Sequence, residues 1–587
     1  MSRTWLRRSA PLAAVAAVSL VLAACSTGGD TTDPTASGSA SASSTEEATT
    51  PEIDLASTGW TRAERDAIAD GGTLNLAIDS YPANFNLNNV DAGTVDDQTI
   101  ANLFVPGFVT IGEDGSWSAN KLYADSVELV SEDPQVVEVK ISEAAVWSDG
   151  TPITVKDVAA NWGALNGTNP DFAPNATNVW EDIASLGPGA PAKDVKITFA
   201  KANADWVSIL GSIYPAWLME TPEAFNTAWV NGPYAADGTT FVSGGPFIVT
   251  AADASGQVLT FGPNPAWWGE TPKLESVIFK VISRNGLAQA FGNSEIDATN
   301  LYGSADNLAT AEGRSDAVIQ RSLGTTFRHI TLNGTSDTFS DPKVREAFAM
   351  SLNRPVLAQA ILGGVGSPAI ELNNLIFMPG QNGYEDNASQ YYGNDVEAAK
   401  TLLEEAGVTV PVPVRFVIPS ENTNSANIAQ LVQQQTAGAF EVTIETVPSA
   451  DFFVSYVTTP GQNFDATYFA WQGTAFPISS TQSIYYPADS GQNFPGVTNE
   501  DLGPLWEEAN AELDVDARLK LADGIDQKLV ELFTTLPLFP EPYAWGVRKD
   551  LVNYGPVQFE TIARENVGFA SCFQPRNGNG PQTSVCG

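Results

Sequence analysis

Between residues 73 and 78 the chain alternates, with Leu74, Leu76 and Ile78 on one side, and this period of two predicts a strand with one buried face. A polar, aromatic loop follows from Tyr81 to Asn86. The alternation returns at 136–141, and further strands are expected at 195–199, 247–250, 258–261 and 277–282. Thr154, followed three residues later by Asp157, predicts a capping box that opens a helix carrying Val158 and Trp162. Past a strand at 327–332 the period lengthens to that of a helix. Asp341 is expected as N-cap with Pro342 at the first helical position, and Val344, Ala347, Phe348 and Leu352 share a face. Asn394 is expected to cap the next helix, with Glu397 three residues on, a stripe of Val396, Ala399, Leu402, Leu403 and Ala406, and Gly407 as its stop. Strands near 414–418 and 442–447 flank another helix around 428–436, so the chain reads as α/β.

The N-terminus has a different pattern. Arg3, Arg7 and Arg8 precede an apolar run from Leu12 to Ala24 that ends in small residues, which predicts an export signal over 1–24. The run is short for a membrane span, and nothing later approaches the roughly 20 apolar residues that spanning needs. Leu22-Ala23-Ala24-Cys25 resembles a bacterial lipobox, in which the cysteine thiol is acylated after cleavage; the alternative is ordinary cleavage that leaves Cys25 a stray thiol. Residues 26–58 are rich in Ser, Thr, Ala and Gly and cannot bury enough surface to fold. They are expected to tether a globular body roughly 30 Å from the anchor.

With Cys25 assigned to lipid, Cys572 and Cys586 remain as an even pair near the C-terminus, and a disulfide is expected; two thiols without a nearby histidine do not complete a zinc site. Removing residues 1–24 takes three arginines and moves the formal charge from −40 to −43, a surface that repels nucleic acid. No cofactor and no metal ligand set is expected, since the chain holds a single histidine, His329, inside a predicted strand. Neither G-x-S-x-G nor a P-loop pattern occurs. Paired carboxylates among 69 acidic residues leave a secreted hydrolase as the enzyme alternative, and the expectation is that the chain is not an enzyme.

Five ordered segments carry a resemblance. They are Val146-Trp147-Ser148-Asp149-Gly150-Thr151-Pro152-Ile153-Thr154 with Lys156-Asp157-Val158; Ser243-Gly244-Gly245-Pro246-Phe247; Asn264-Pro265-Ala266-Trp267-Trp268-Gly269; Asn333 through Asp341-Pro342-Lys343-Val344-Arg345-Glu346-Ala347; and Leu352-Asn353-Arg354. On these the chain resembles the extracellular solute-binding proteins of the peptide/nickel class, family 5, which serve ABC importers. The resemblance implies a two-lobed periplasmic-binding-protein-like α/β fold, with an extra subdomain in the first lobe and two chain crossings as a hinge. The crossings are expected near 324–326 and 539–543. The first lobe then takes 59–323, the second 324–540, and 541–587 returns to the first.

The resemblance further implies a peptide or small-molecule ligand in the interlobe cleft, a membrane permease as partner, and an extracytoplasmic location on the outer face of the cell membrane. Relatives that take peptides pair the ligand's amino group with an aspartate just after a tryptophan; here Gln472 follows Trp471. Gln offers a hydrogen bond but no full charge, so the chain is not expected to depend strongly on a free amino terminus. Cleft candidates are Tyr81, Asn86, Asn88, Trp217, Tyr302, Asn333, Trp471, Gln472, Thr474 and Phe476, with Trp471 to Thr474 expected in a loop. The 14 Trp and 14 Tyr keep an oligosaccharide or other neutral solute open as ligand, and a chelated nickel ion could still be carried.

Overall fold

A computed structural model describes residues 55–571 apart from 190–192, 421 and 459–461. The expected lipidation at Cys25 and the expected Cys572–Cys586 disulfide lie outside the described residues. Within them, two α/β lobes are built on separate sheets.

In the first lobe the strand Thr73–Ile78 pairs in parallel with Ser276–Val281, and antiparallel strands Val258–Pro263 and Phe247–Asp253 extend that sheet. Leu74, Leu76 and Ile78 are buried and their alternates partly exposed, as the period of two requires. A second, antiparallel sheet has the order Ala124–Glu132, Gln135–Ile141, Val195–Phe199, Ile183–Pro188. Its Val137, Val139 and Ile197 share one continuous core with Phe104 and with Phe261 and Phe279 of the main sheet, so the subdomain is fused to the lobe by packing. A three-stranded sheet completes the lobe, with Tyr543–Arg548 between Ala298–Asn300 and Ala317–Ser322.

The second lobe carries a five-stranded sheet in the order Phe440–Val447, Val412–Pro419, Ala466–Gln472, Thr326–Leu332, Thr535–Pro540. The first three strands are parallel, and Thr326–Leu332 runs against both of its neighbours. Its core gathers Ile330, Leu332, Phe348, Phe416 and Tyr468.

The motifs that carry the resemblance act as local fasteners. Thr154 and Asp157 form the expected capping box of Val155–Leu165, and the Asp157 carboxylate also accepts the Ala216 N–H at 2.9 Å. Asp341 caps Pro342–Met350, its Oδ1 accepting from the Lys343 N–H at 2.9 Å. Arg354 is fully buried; Nη1 donates to the carbonyls of Leu372 at 2.7 Å and Pro537 at 3.1 Å, and the guanidinium lies 3.9 Å over the Tyr392 ring. One cap differs from expectation. Asp395, not Asn394, caps Val396–Glu405, accepting the Ala398 N–H at 2.9 Å, while Asn394 takes a φ of 52° and turns the chain into the helix.

The chain leaves the three-stranded sheet at Ser322 and enters the five-stranded sheet at Thr326, then leaves that sheet at Pro540 and re-enters the first lobe at Tyr543. The two passages lie against each other. Glu541 N–H donates to the Thr326 carbonyl at 2.8 Å, and a Cβ on Gly324 would stand 2.0 Å from the Glu541 carbonyl oxygen, an approach that only glycine permits. Among the described residues no helix is long and apolar enough to cross a membrane.

Candidate binding cleft

A cleft of about 1470 Å³ opens beside these passages, walled by both lobes. On the first lobe Asp79 and Arg284 form an ion pair at 3.0 Å, and the Arg284 guanidinium lies 4.5 Å over the ring of Tyr302. Tyr302 is 43% exposed and held at a φ of 49°, with its N–H donating to Asn300 Oδ1 at 2.9 Å. A bulky side chain in this left-handed region stores strain of about 1–3 kcal/mol. Below it, Asp96 Oδ2 accepts the Asp79 N–H at 2.6 Å, and among the described residues no ion pair reaches Asp96. Burial pushes the Asp96 carboxyl above the ordinary aspartate range, partly offset by that N–H.

The passages supply the cleft floor. Arg328 donates to Glu541 through both Nε at 2.8 Å and Nη2 at 3.0 Å, so this carboxylate is committed to a bidentate pair. The Thr325 and Tyr543 hydroxyls share a hydrogen bond of 2.7 Å, and Gln472 Nε2 donates to Thr325 Oγ1 at 3.2 Å. On the second lobe Thr474 and Phe476 face the same space, with the Thr474 carbonyl held by Gln381 Nε2 at 2.9 Å. Chemically this is a polar enclosure offering hydroxyls, an amide, an exposed tyrosine and two carboxylates, Asp96 and Glu565, that no ion pair among the described residues reaches.

Of the ten expected residues, Asn88, Tyr302, Gln472, Thr474 and Phe476 line the cleft. The structure puts the other five into packing. Asn86 is buried and staples its own loop, Oδ1 accepting from the Asn88 N–H at 3.2 Å. Tyr81 packs edge-on to Phe85, and Trp217 leans on Trp229 with ring centres 6.4 Å apart. Asn333 is buried, its Nδ2 donating to the Phe464 carbonyl at 2.9 Å.

Trp471 corrects the expectation of a loop. It belongs to Ala466–Gln472, opposite Phe327, and stacks on Phe494 at 5.4 Å and 17°, while the strand's alternation sends Gln472 to the other face and into the cleft. His329 is fully buried against Phe469, 4.3 Å between ring centres, and burial pushes its imidazole down to about 3, which keeps it neutral. No cluster of three or more His, Cys, Asp or Glu among the described residues is placed to hold a metal ion. Asp79, Asp96, Arg284, Thr325, Glu541 and Tyr543 were not among the expected residues. The crossings expected at 324–326 and 539–543 carried a signal for Thr325, Glu541 and Tyr543; Asp79, Asp96 and Arg284 come from separate segments that folding alone brings together.

Two lobes on separate sheets, two adjoining passages and a polar cleft between them define an extracellular solute-binding protein. Residues 119–493 match the family described as "Bacterial extracellular solute-binding proteins, family 5 Middle", and the chain belongs to that family. It is 32% identical over 517 residues to the oligopeptide-binding protein OppA of Mycobacterium tuberculosis (strain ATCC 25618 / H37Rv), covering 86% of this chain and 85% of that protein. To the glutathione-binding protein GsiB of Escherichia coli (strain K12) it is 24% identical, over 74% of this chain and 79% of that protein. Among solved structures, the periplasmic EDTA-binding protein EppA superposes with a TM-score of 0.78 at 24% identity, over 89% of this chain and all of that one. The oligopeptide-binding protein AppA of Bacillus subtilis, in complex with a nonapeptide, gives 0.65 at 20% identity, over 86% of this chain and 100% of that chain.

Proposed function

We propose that this protein is a lipid-anchored extracytoplasmic receptor that closes on a peptide and delivers it to the permease of an ABC importer. The cleft carries the reading: about 1470 Å³ is more than the roughly 300–1000 Å³ of a drug-sized pocket, and its walls belong to two lobes that the passages can swing together. The 32% identity to an oligopeptide-binding protein favours a peptide among the solutes of such receptors. In this reading 59–323 with 541–587 move as one body and 324–540 as the other. Binding proceeds without chemical turnover, and the pairing of Asp79 with Arg284 and of Glu541 with Arg328 supports this, since both carboxylates are already engaged. Cys25 is the anchor and Cys572–Cys586 the disulfide of the C-terminal segment.

Native mass spectrometry of protein purified from its own cells should reveal adducts of peptide mass that vanish on denaturation. Adducts of sugar mass, or an empty protein that gives no calorimetric heat with a tri- to nonapeptide library, would overturn the peptide assignment. Cys25→Ser should move the protein from the membrane to the soluble fraction without changing its fold.

A further inference from the structure

The lobes also touch away from the passages, through an acid and an arginine that the cleft does not use. Asp205 opens the short helical turn Trp206–Leu210 of the first lobe, and its side chain is 2% exposed. Its Oδ1 accepts from Arg518 Nη1 of the second lobe at 2.6 Å, and its Oδ2 accepts from the hydroxyl of Ser479, also of the second lobe. Next to it the Ala204 N–H donates to the Asn510 carbonyl at 2.7 Å, again across the lobes. Arg518 is held for this task by its own lobe, Nε donating to the Ala509 carbonyl at 2.9 Å. Leu513 and Phe476 of the second lobe pack onto the first lobe's core around the same contact.

Position gives this cluster its meaning. Val207, Ser208 and Ile209, just after Asp205, line the cleft, as does Phe476, three residues before Ser479. Two other interlobe bonds, Arg321 to the Val365 carbonyl at 2.8 Å and Gln558 to the Pro379 carbonyl at 3.1 Å, sit at the hinge itself: Arg321 lies three residues before Gly324, and Gln558 also donates to the Gly324 carbonyl. Bonds beside an axis change little when lobes rotate about it, whereas Asp205 and Arg518 are separated by any opening. An aspartate buried at this depth is tolerable only while its cation is present, so separation must hydrate both groups together, and the contact resists partial opening.

We infer that Asp205 and Arg518, with Ser479, form a latch that holds the two lobes shut over the cleft and sets how long a ligand stays. The inference rests on the receptor reading above, so its test uses no ligand and stands or falls separately from it. Small-angle scattering and amide hydrogen exchange are recorded on the wild type, Asp205→Ala, Arg518→Ala and the double variant. Each single substitution should raise the radius of gyration. Arg518→Ala, made in the second lobe, should speed exchange of the Ala204 amide in the first by at least about tenfold.

Because both substitutions break the same contact, the double variant should be no more open than either single one. Arg518→Lys, which keeps the charge, should recover part of the protection, and a purely local packing defect would not respond to it. Scattering curves that superpose on the wild type, or opening that adds up in the double variant, would overturn the latch whether or not a peptide is ever found in the cleft.

Discussion

Asp526 offers a prediction whose size follows from its surroundings. It is buried in the helix Val515–Val530 of the second lobe, where Oδ1 accepts the Leu375 N–H at 2.7 Å and Oδ2 accepts from Asn387 Nδ2 at 2.7 Å. Burial outweighs these bonds and pushes its carboxyl up from 3.8 to about 7. The folded protein therefore holds this proton more tightly than the unfolded chain does. The stabilisation is complete below the unfolded value, and it is lost as pH rises towards the folded one.

At 1.36 kcal/mol per unit, a rise from 3.8 to about 7 amounts to about 4 kcal/mol, of which about 2.5 kcal/mol falls between pH 5 and pH 8. Asp526→Asn removes the titration, and an amide turn of Asn387 can restore the hydrogen bond. Urea unfolding followed by tryptophan fluorescence at pH 5, 6, 7 and 8 should show the wild type losing stability relative to the variant by about that amount. Two curves that stay parallel across the range would refute the assignment of a proton to Asp526. The consequence reaches the cleft, because Asp526 anchors the segment that carries Met378 and Gln381. The first lies 2.5 Å from where a Cβ on Gly473 would stand, and the second holds the Thr474 carbonyl.

Two further outcomes follow from the cleft. Trp471→Ala should cost stability by about 2–3 kcal/mol, below the usual toll of a fully buried tryptophan because Trp471 is only partly covered, and any loss of binding should be the smaller effect; a hundredfold affinity loss at unchanged urea midpoint would place the ring against the ligand instead. Asp96→Asn tests whether this carboxylate takes over the charge that Gln472 cannot supply. If it does, the wild type should prefer a free peptide over its N-acetylated form by about thirtyfold or more and the variant should not, whereas equal competition in calorimetry would leave the ligand's leading end neutral.

Periodicity and capping chemistry made most of the scaffold readable. Thr154-Asp157 and Asp341-Pro342 specify their caps through neighbours three residues apart or closer, and the structure holds both. The strand at Thr73–Ile78 was legible because one face meets the core and the other does not. Ala466–Gln472 was harder, since it is buried on both faces over most of its length and so carries no alternation, and the run into Gly473-Thr474 imitates a loop. The cleft was legible in part. Gln472 and Thr474 came from a segment the family resemblance singled out, but Asp79, Asp96 and Arg284 stand up to 205 residues apart in the chain and meet only once the parallel pair Thr73–Ile78 and Ser276–Val281 has formed. Single aromatic residues were hard to place for a related reason: Trp217 and Tyr81 could serve as stacking platforms, and only their neighbours reveal that they pack, partly buried, against the core of the first lobe.

The three-stranded sheet of the first lobe has a consequence for biosynthesis. Its middle strand, Tyr543–Arg548, is the last of the three to leave the ribosome, more than two hundred residues after Ala317–Ser322, and until then the two outer strands have nothing to pair with. The second lobe, by contrast, runs without interruption from Thr326 to Pro540 and can close as soon as it is made. The first lobe thus waits, unfinished, until that strand has been made.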